Sequence, residues 1–297
     1  KVFFFGALIL AVILGLGYIY IGKNTEKNTL INAMGKEKMS LNEKSSMTTT
    51  KGVLDVHHWT TDKGVRVYYV SSPNLPMVDI QVVFDAGSAR DGSKNGLAYL
   101  TNYLLAEGTK DISADDAADI FESSGAQFSS SAQRDMAVVS LRSLTDVELL
   151  TPAVKLLAKL LKEPAYPEKG FNREKQNTLK ALEYQSQQPN KVAEKAFYAA
   201  IYPNQPYANW PTGTKEGLTS LTQQDLKEFH KQYYVAKNAV VTIVGAVNVD
   251  EANALAKTLT DGLEAGQKPA ALPKVQALSA QKVEKLPFPS NQTHIMM

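Results

Sequence analysis

The chain has 297 residues, of which 44% are hydrophobic and 21% charged, with a formal net charge of +2 and no cysteine. That length supports one large domain or two ordinary ones. The absence of thiols excludes disulfides, thiol catalysis and cysteine-held zinc. No stretch combines dense Lys or Arg with aromatic residues, so no nucleic-acid partner is expected.

Residues 2–22 carry no charge, long enough to cross a bilayer core of about 30 Å as a helix. Tyr18 and Tyr20 fall where an interfacial aromatic belt would sit. A cleaved signal peptide competes with this reading, because Gly15-Leu16-Gly17 has the small-x-small form of a cleavage site. The apolar run continues past it, so an uncleaved transmembrane signal-anchor is expected. Residues 23–51 are dominated by Lys, Asn, Glu, Ser and Thr and lack aromatics. They read as a flexible tether.

From Val53 the pattern turns to strands. Residues 56–60 and 65–70 flank Asp62-Lys63-Gly64, a hairpin-turn signal. His57 and His58 are neighbours on a strand, so they point to opposite faces and cannot chelate together. A third strand over 77–86 alternates Val78, Ile80, Val82 and Phe84 with polar residues. Gly96 to Thr109 then reads as one helix stopped by Gly108, with Leu97, Leu100 and Leu104 as its buried stripe. Tyr99, Asn102 and Tyr103 stand at i, i+3 and i+4, so they share a second face. This is the spacing of H-x-x-E-H, in which two imidazoles hold zinc and the Glu serves as general base. The frame is present without its chemistry. Tyrosine titrates near 10 and is a poor zinc ligand at neutral pH, and asparagine cannot act as a base.

Ser113 caps a helix through Ser123, with Asp115, Asp116 and Asp119 near its positive end as dipole compensation. Two strands over 126–132 and 136–142 meet around Gln133-Arg134-Asp135. An amphipathic helix over 146–163 is capped by Thr145, and a longer one runs from Glu168 to Gln188. Pro189-Asn190 interrupts before a helix over 191–201. Thr222 and Asp225 form a capping motif for a helix to Tyr234. A buried strand over 240–245 and a helix over 249–263, with Ala252, Ala256 and Leu259 inward, follow. His230 has no partner ligand at i+4 and reads as a surface or packing histidine. Residues 265–286, rich in Ala, Lys, Gln and Pro, read as a linker.

The run Phe84-Asp85-Ala86-Gly87-Ser88-Ala89-Arg90-Asp91, with Gly96-Leu97-Ala98 and Glu107-Gly108-Thr109, resembles the pitrilysin/insulinase family of zinc metallopeptidases, nearest its processing-peptidase branch. The resemblance implies an α+β fold: a half-clamshell lobe in which a mixed or antiparallel sheet packs against helices. Residues 52–264 would be the first metallopeptidase-like domain, and 287–297 the opening strand of a second, homologous one. The family's His, Glu and His match Tyr99, Asn102 and Tyr103. Its third ligand, a Glu, matches Ala181, or Lys180 after a one-residue slip, and a companion Glu matches Glu174. No catalytic residue and no zinc are therefore expected.

In catalytic relatives the strand matching Phe128, Ser129, Ser130 and Ser131 lies at a sheet edge and pairs with extended peptides. Here it reads equally as a plain edge strand. The implied partners are a catalytic subunit in a hetero-oligomer, or a second copy, with the soluble part in the periplasm and residues 2–22 in a bacterial inner membrane. The expected function is that of a non-catalytic, membrane-anchored homologue that pairs with an active H-x-x-E-H subunit and helps form a peptide chamber. Two other readings stand beside it: a stand-alone peptide-binding scaffold, and an active peptidase with unorthodox ligands.

Overall fold

Strict alternation over Met77–Phe84 puts Val78, Ile80, Val82 and Phe84 in the core and leaves Asp79 and Gln81 exposed. One face of this strand must therefore be covered and the other need not be. The computed structural model describes residues 48–51, 55–278 and 280–297. Among them, seven strands form one sheet: β1 (Thr48–Lys51), β2 (Asp55–Thr60), β3 (Arg66–Ser71), β4 (Met77–Phe84), β5 (Gln127–Ala132), β6 (Ala137–Leu144) and β7 (Ala239–Gly245). Their order is β1-β2-β3-β7-β4-β6-β5, with β3 and β7 parallel and the other neighbours antiparallel.

The register continues the alternation across the sheet. Val82 faces Val139 and Val241, and Ile80 faces Leu141 and Ile243, all of them buried. Burying each such side chain contributes roughly 1.5–3 kcal/mol relative to exposure. The helices are α1 (Leu97–Tyr103), α2 (Ala114–Ser123), α3 (Val147–Lys162), α4 (Glu168–Ser186), α5 (Pro189–Ile201), α6 (Lys215–Ser220), α7 (Gln223–Tyr233) and α8 (Val249–Thr260). The apolar sides of α1, α3 and α8 join the buried strand residues in one core. The mixed sheet packed against helices bears out the α+β expectation. Because β7 enters the middle of the sheet, residues near 240 are as much a part of this core as those near 80.

Local capping follows the sequence. Ser113 and Asp116 form a capping box at α2, and Thr222 and Asp225 form one at α7. Several expectations are corrected. The stretch 96–109 is not one α-helix: α1 ends at Tyr103 and a tighter 3-10 turn, Leu104–Glu107, carries the chain to Gly108 at φ 89°. Asp146, not Thr145, caps α3, its carboxylate accepting from the Glu148 N–H at 2.9 Å. Pro189 starts α5, since a first-turn residue needs no N–H donor.

Thr48–Lys51, inside the stretch read as a tether, pairs with β2. The stretch read as a linker is pinned at its start: Ala236 and Lys237 donate to the Glu264 and Ala265 carbonyls, and Arg90 donates to the Ala270 carbonyl at 2.7 Å. Residues 287–297 form no strand, because a strand needs a ladder partner and none of the described residues supplies one. The span 2–22 lies outside the described residues, and among those no helix is long and apolar enough to cross a membrane.

Candidate functional site

The helix α1 is fixed at both ends. Before it, Asp91 is only 4% exposed, and its carboxylate accepts from the Gly96 and Ala98 N–H groups at 2.7 Å each. Burial pushes its pKa up to about 7 against the opposing pull of those two bonds. Gly96 sits at φ 103° and Gly213 at φ 90°. A Cβ on Gly213 would stand 2.5 Å from the Asn95 carbonyl oxygen. Past α1, Glu107 is ion-paired with Arg173 of α4, and a Cβ on Gly170 of α4 would collide with the Glu107 side chain. Tyr166 at the entry to α4 is buried and donates to the Thr101 carbonyl at 3.1 Å. Glu107-Gly108-Thr109 and the Asp91 loop thus lock α1 against its neighbours without touching the motif face.

On that face the three side chains differ. Tyr99 is half-buried, and its hydroxyl donates to Glu174 Oε1 at 3.4 Å. Burial first, then the Glu174 charge, push the phenol up to about 12. Asn102 is fully buried: its Nδ2 donates to the Tyr234 hydroxyl at 3.1 Å, and its Oδ1 has no protein partner. Tyr103 is exposed and stacks on Tyr99, with ring centroids 5.8 Å apart. Glu174 is 7% exposed and is also reached by Thr178 and Asn177 at 3.4 Å each. Ala181 lies one turn beyond Thr178 and is exposed; Lys180 is exposed and lies off that row.

These residues do not fit zinc. A phenol that holds its proton to about 12 offers no anionic ligand at neutral pH, the neutral Asn102 amide carries no charge and cannot take up a proton as a base, and Ala181 has no donor atom. Glu174 is the one carboxylate present at the site. Among the described residues no group of three or more His, Cys, Asp or Glu is placed to hold a metal ion.

The other named residues fall as follows. His57 lies 3.5 Å from Asp55 and beside Tyr69, while His58 stacks on Tyr68 from the opposite face of β2. Asp116 is engaged in the α2 cap. His230 is a packing histidine and not a surface one: its Nε2 lies 3.0 Å from the Leu161 carbonyl, it stacks on Tyr234, and burial pushes its pKa down to about 4. β5 is the last strand of the sheet and pairs only with β6 among the described residues. Ser129 and Ser131 are exposed, whereas Phe128 and Ser130 are half-buried toward the helices, with Phe128 stacked on Phe121 at 5.1 Å. The outer N–H and C=O groups of β5 can therefore take another strand. Asp91 stood out only as the end of the run that carries the family resemblance, and the parts of Tyr166 and Tyr234 at α1 had no signal in the sequence, because each reaches α1 from outside its periodic pattern.

The profile of the family described as insulinase (peptidase family M16) matches residues 66–215, and that of the peptidase M16 inactive domain matches 220–297. A solved structure described as the peptidase M16 inactive domain from Pseudomonas fluorescens superposes with a TM-score of 0.74 at 36% identity, covering 75% of this chain and 54% of that one. An uncharacterized zinc protease of Rickettsia felis is 24% identical over 71% of this chain and 51% of its own length. The non-peptidase homolog YmxG of Helicobacter pylori is 27% identical over 66% of this chain and 45% of its own length. The chain spans about half the length of the curated relatives it matches. Relatives thus carry both catalytic and non-catalytic names.

Proposed function

The chain belongs to the insulinase family, peptidase family M16, and from that membership we propose that it is a non-catalytic member whose lobe binds extended peptides beside a catalytic H-x-x-E-H subunit. The observation that carries this reading is the state of the motif face. α1 is held in place by Asp91, Glu107 and Tyr166, while its three motif positions hold a protonated phenol, a buried amide and an exposed ring. No group there can activate water or bind the metal that would. What remains usable is backbone. A peptide added outside β5 gains ladder hydrogen bonds, each contributing about 1 kcal/mol net, and needs no catalytic residue.

In the same reading residues 2–22 anchor the protein in a bacterial inner membrane, with this lobe in the periplasm as one wall of a chamber completed by the active subunit. The zinc content of purified protein tests the first half. Well under one equivalent per chain is expected, and a full equivalent overturns the reading. Restoring Tyr99→His, Asn102→Glu and Tyr103→His together is expected to leave the protein without proteolysis, because Ala181 still supplies no ligand. Peptide cleavage by that triple variant alone would contradict this. Co-purification with an H-x-x-E-H subunit tests the partner; purification alone, with peptide binding intact, points to the stand-alone scaffold.

A further inference from the structure

Residues 264–278 carry no regular secondary structure, yet the segment is held at three fixed points. Where it begins, the Ala236 and Lys237 N–H groups donate to the Glu264 and Ala265 carbonyls at 2.8 and 3.1 Å. Next, Gly266 at φ 58° lies flush on Val235, and a Cβ there would stand 2.4 Å from the Val235 Cβ. Val235 is 3% exposed, and the segment is part of what covers it. Four residues further on, Arg90 Nη1 donates to the Ala270 carbonyl at 2.7 Å.

The third point differs in kind from the first. On its other side the Arg90 guanidinium is gripped by Asp85: Nε and Nη2 donate to the two carboxylate oxygens at 2.8 and 2.6 Å, and the arginine side chain is 9% exposed. A planar fork held this way aims Nη1 in one direction, which a lysine would not reproduce. The Asp85 end is itself tied back to the start of the segment. Asn238 Nδ2 donates to the Tyr233 carbonyl at 2.7 Å and reaches the Asp85 carbonyl at 3.2 Å. Asp85, Arg90, Ala270, Ala236 and Asn238 therefore belong to one closed ring of contacts, which residues 264–270 complete.

Such a ring opens at its weakest member. The segment buries little apolar surface of its own: Leu272 is half-buried, while Val275 and Leu278 are 48% and 50% exposed. An open cavity of about 210 Å³ lies between Leu278 and Ile201 at the end of α5, so the far end is not sealed down. Few buried apolar contacts and solvent-facing bonds mark an element that opens locally while the core stays folded. Arg90 also stands directly before Asp91, whose carboxylate fixes the start of α1.

We propose that residues 264–278 are a strap that opens and closes as a unit, with Arg90 as its clasp, and that its state is coupled through Arg90 to the Asp91 loop that positions α1. A partner or chain segment that pulls on the strap then acts on α1, and by reciprocity a rearranged Asp91 loop frees the strap. Amide exchange of the full chain, resolved to single residues, reads the strap at Ala236 and Lys237 and the loop at Gly96 and Ala98. Two variants open the strap by different routes. Arg90→Lys keeps the charge and loses the fork, whereas Gly266→Ala keeps Arg90 and pries the segment off Val235. Each is expected to speed exchange at Ala236 and Lys237 roughly tenfold, the effect of one charged-donor hydrogen bond or one strained left-handed residue. Gly96 and Ala98 are expected to exchange about fivefold faster, the low end of coupling between sites. The β4 amides, residues 78–84, are expected to stay unchanged.

Unchanged exchange at Ala236 and Lys237 in both variants would overturn the strap, and a change in only one of them would overturn Arg90 as its clasp. Faster exchange there with Gly96 and Ala98 unchanged in Gly266→Ala would overturn the coupling to α1. Faster exchange throughout β4 would mean that the domain unfolds as a whole, and would overturn a strap that moves on its own.

Discussion

The two ends of α1 and its exposed middle are built to different standards. At the ends every constraint is strong: a buried carboxylate on two N–H groups, an ion pair to α4, and glycines where a Cβ would meet backbone. In the middle the contacts are long or incomplete. The Tyr99–Glu174 bond is 3.4 Å, Asn102 leaves Oδ1 unpartnered, and Tyr103 stands in solvent. A helix that presented catalytic ligands would need the opposite arrangement at its middle, with each ligand oriented by a second partner. The difference teaches that the position of the helix has been kept while the demands on its face have been relaxed.

The largest way to test this is to attack an end. Gly213→Ala puts a Cβ 2.5 Å from the Asn95 carbonyl oxygen at a residue of positive φ, and should cost about 3 kcal/mol. Urea unfolding measures it, and a loss under about 1 kcal/mol would mean that the loop yields and the end is not rigid. Asp91→Ala should cost about 2 kcal/mol by stranding the Gly96 and Ala98 donors.

Asp91 also makes a prediction in pH. Its folded pKa of about 7 lies above the ordinary 3.8, so the folded state holds the proton more tightly than the unfolded chain. The resulting stability is fully present below about pH 4 and is lost as pH rises toward 7, with a slope of at most about 1.4 kcal/mol per pH unit. Asp91→Asn should remove that slope between pH 5 and 7; parallel curves for the two proteins would contradict the assignment.

What could be read from the sequence follows the range of the interaction. Caps within three or four residues, such as Ser113 with Asp116 and Thr222 with Asp225, and the period-2 core of β4, were legible because their partners are local. The edge position of β5 was expected only from the family resemblance, and the fold bears it out. α6 escaped notice because six residues are too few to display a period. At the site, the spacing of Tyr99, Asn102 and Tyr103 was plain, yet their unequal exposure was not. It depends on Tyr234 and Glu174, which lie more than seventy residues away in the chain.

The relaxed middle predicts small effects where a catalytic helix would show large ones. Asn102→Leu removes an amide that satisfies one buried group and strands another, so its stability should stay within about 1 kcal/mol of the parent. A loss well beyond that would show that Asn102 has a structural role its single bond does not reveal. Tyr103→Ala should change stability least, by under about 0.5 kcal/mol, because the ring is exposed and the ring it stacks on, Tyr99, keeps the Glu174 bond without it. If this change alone loosened α1, measured as faster amide exchange over residues 97–103, the face would be part of what holds the helix. The contrast between its ends and its middle would then fail where it is most exposed.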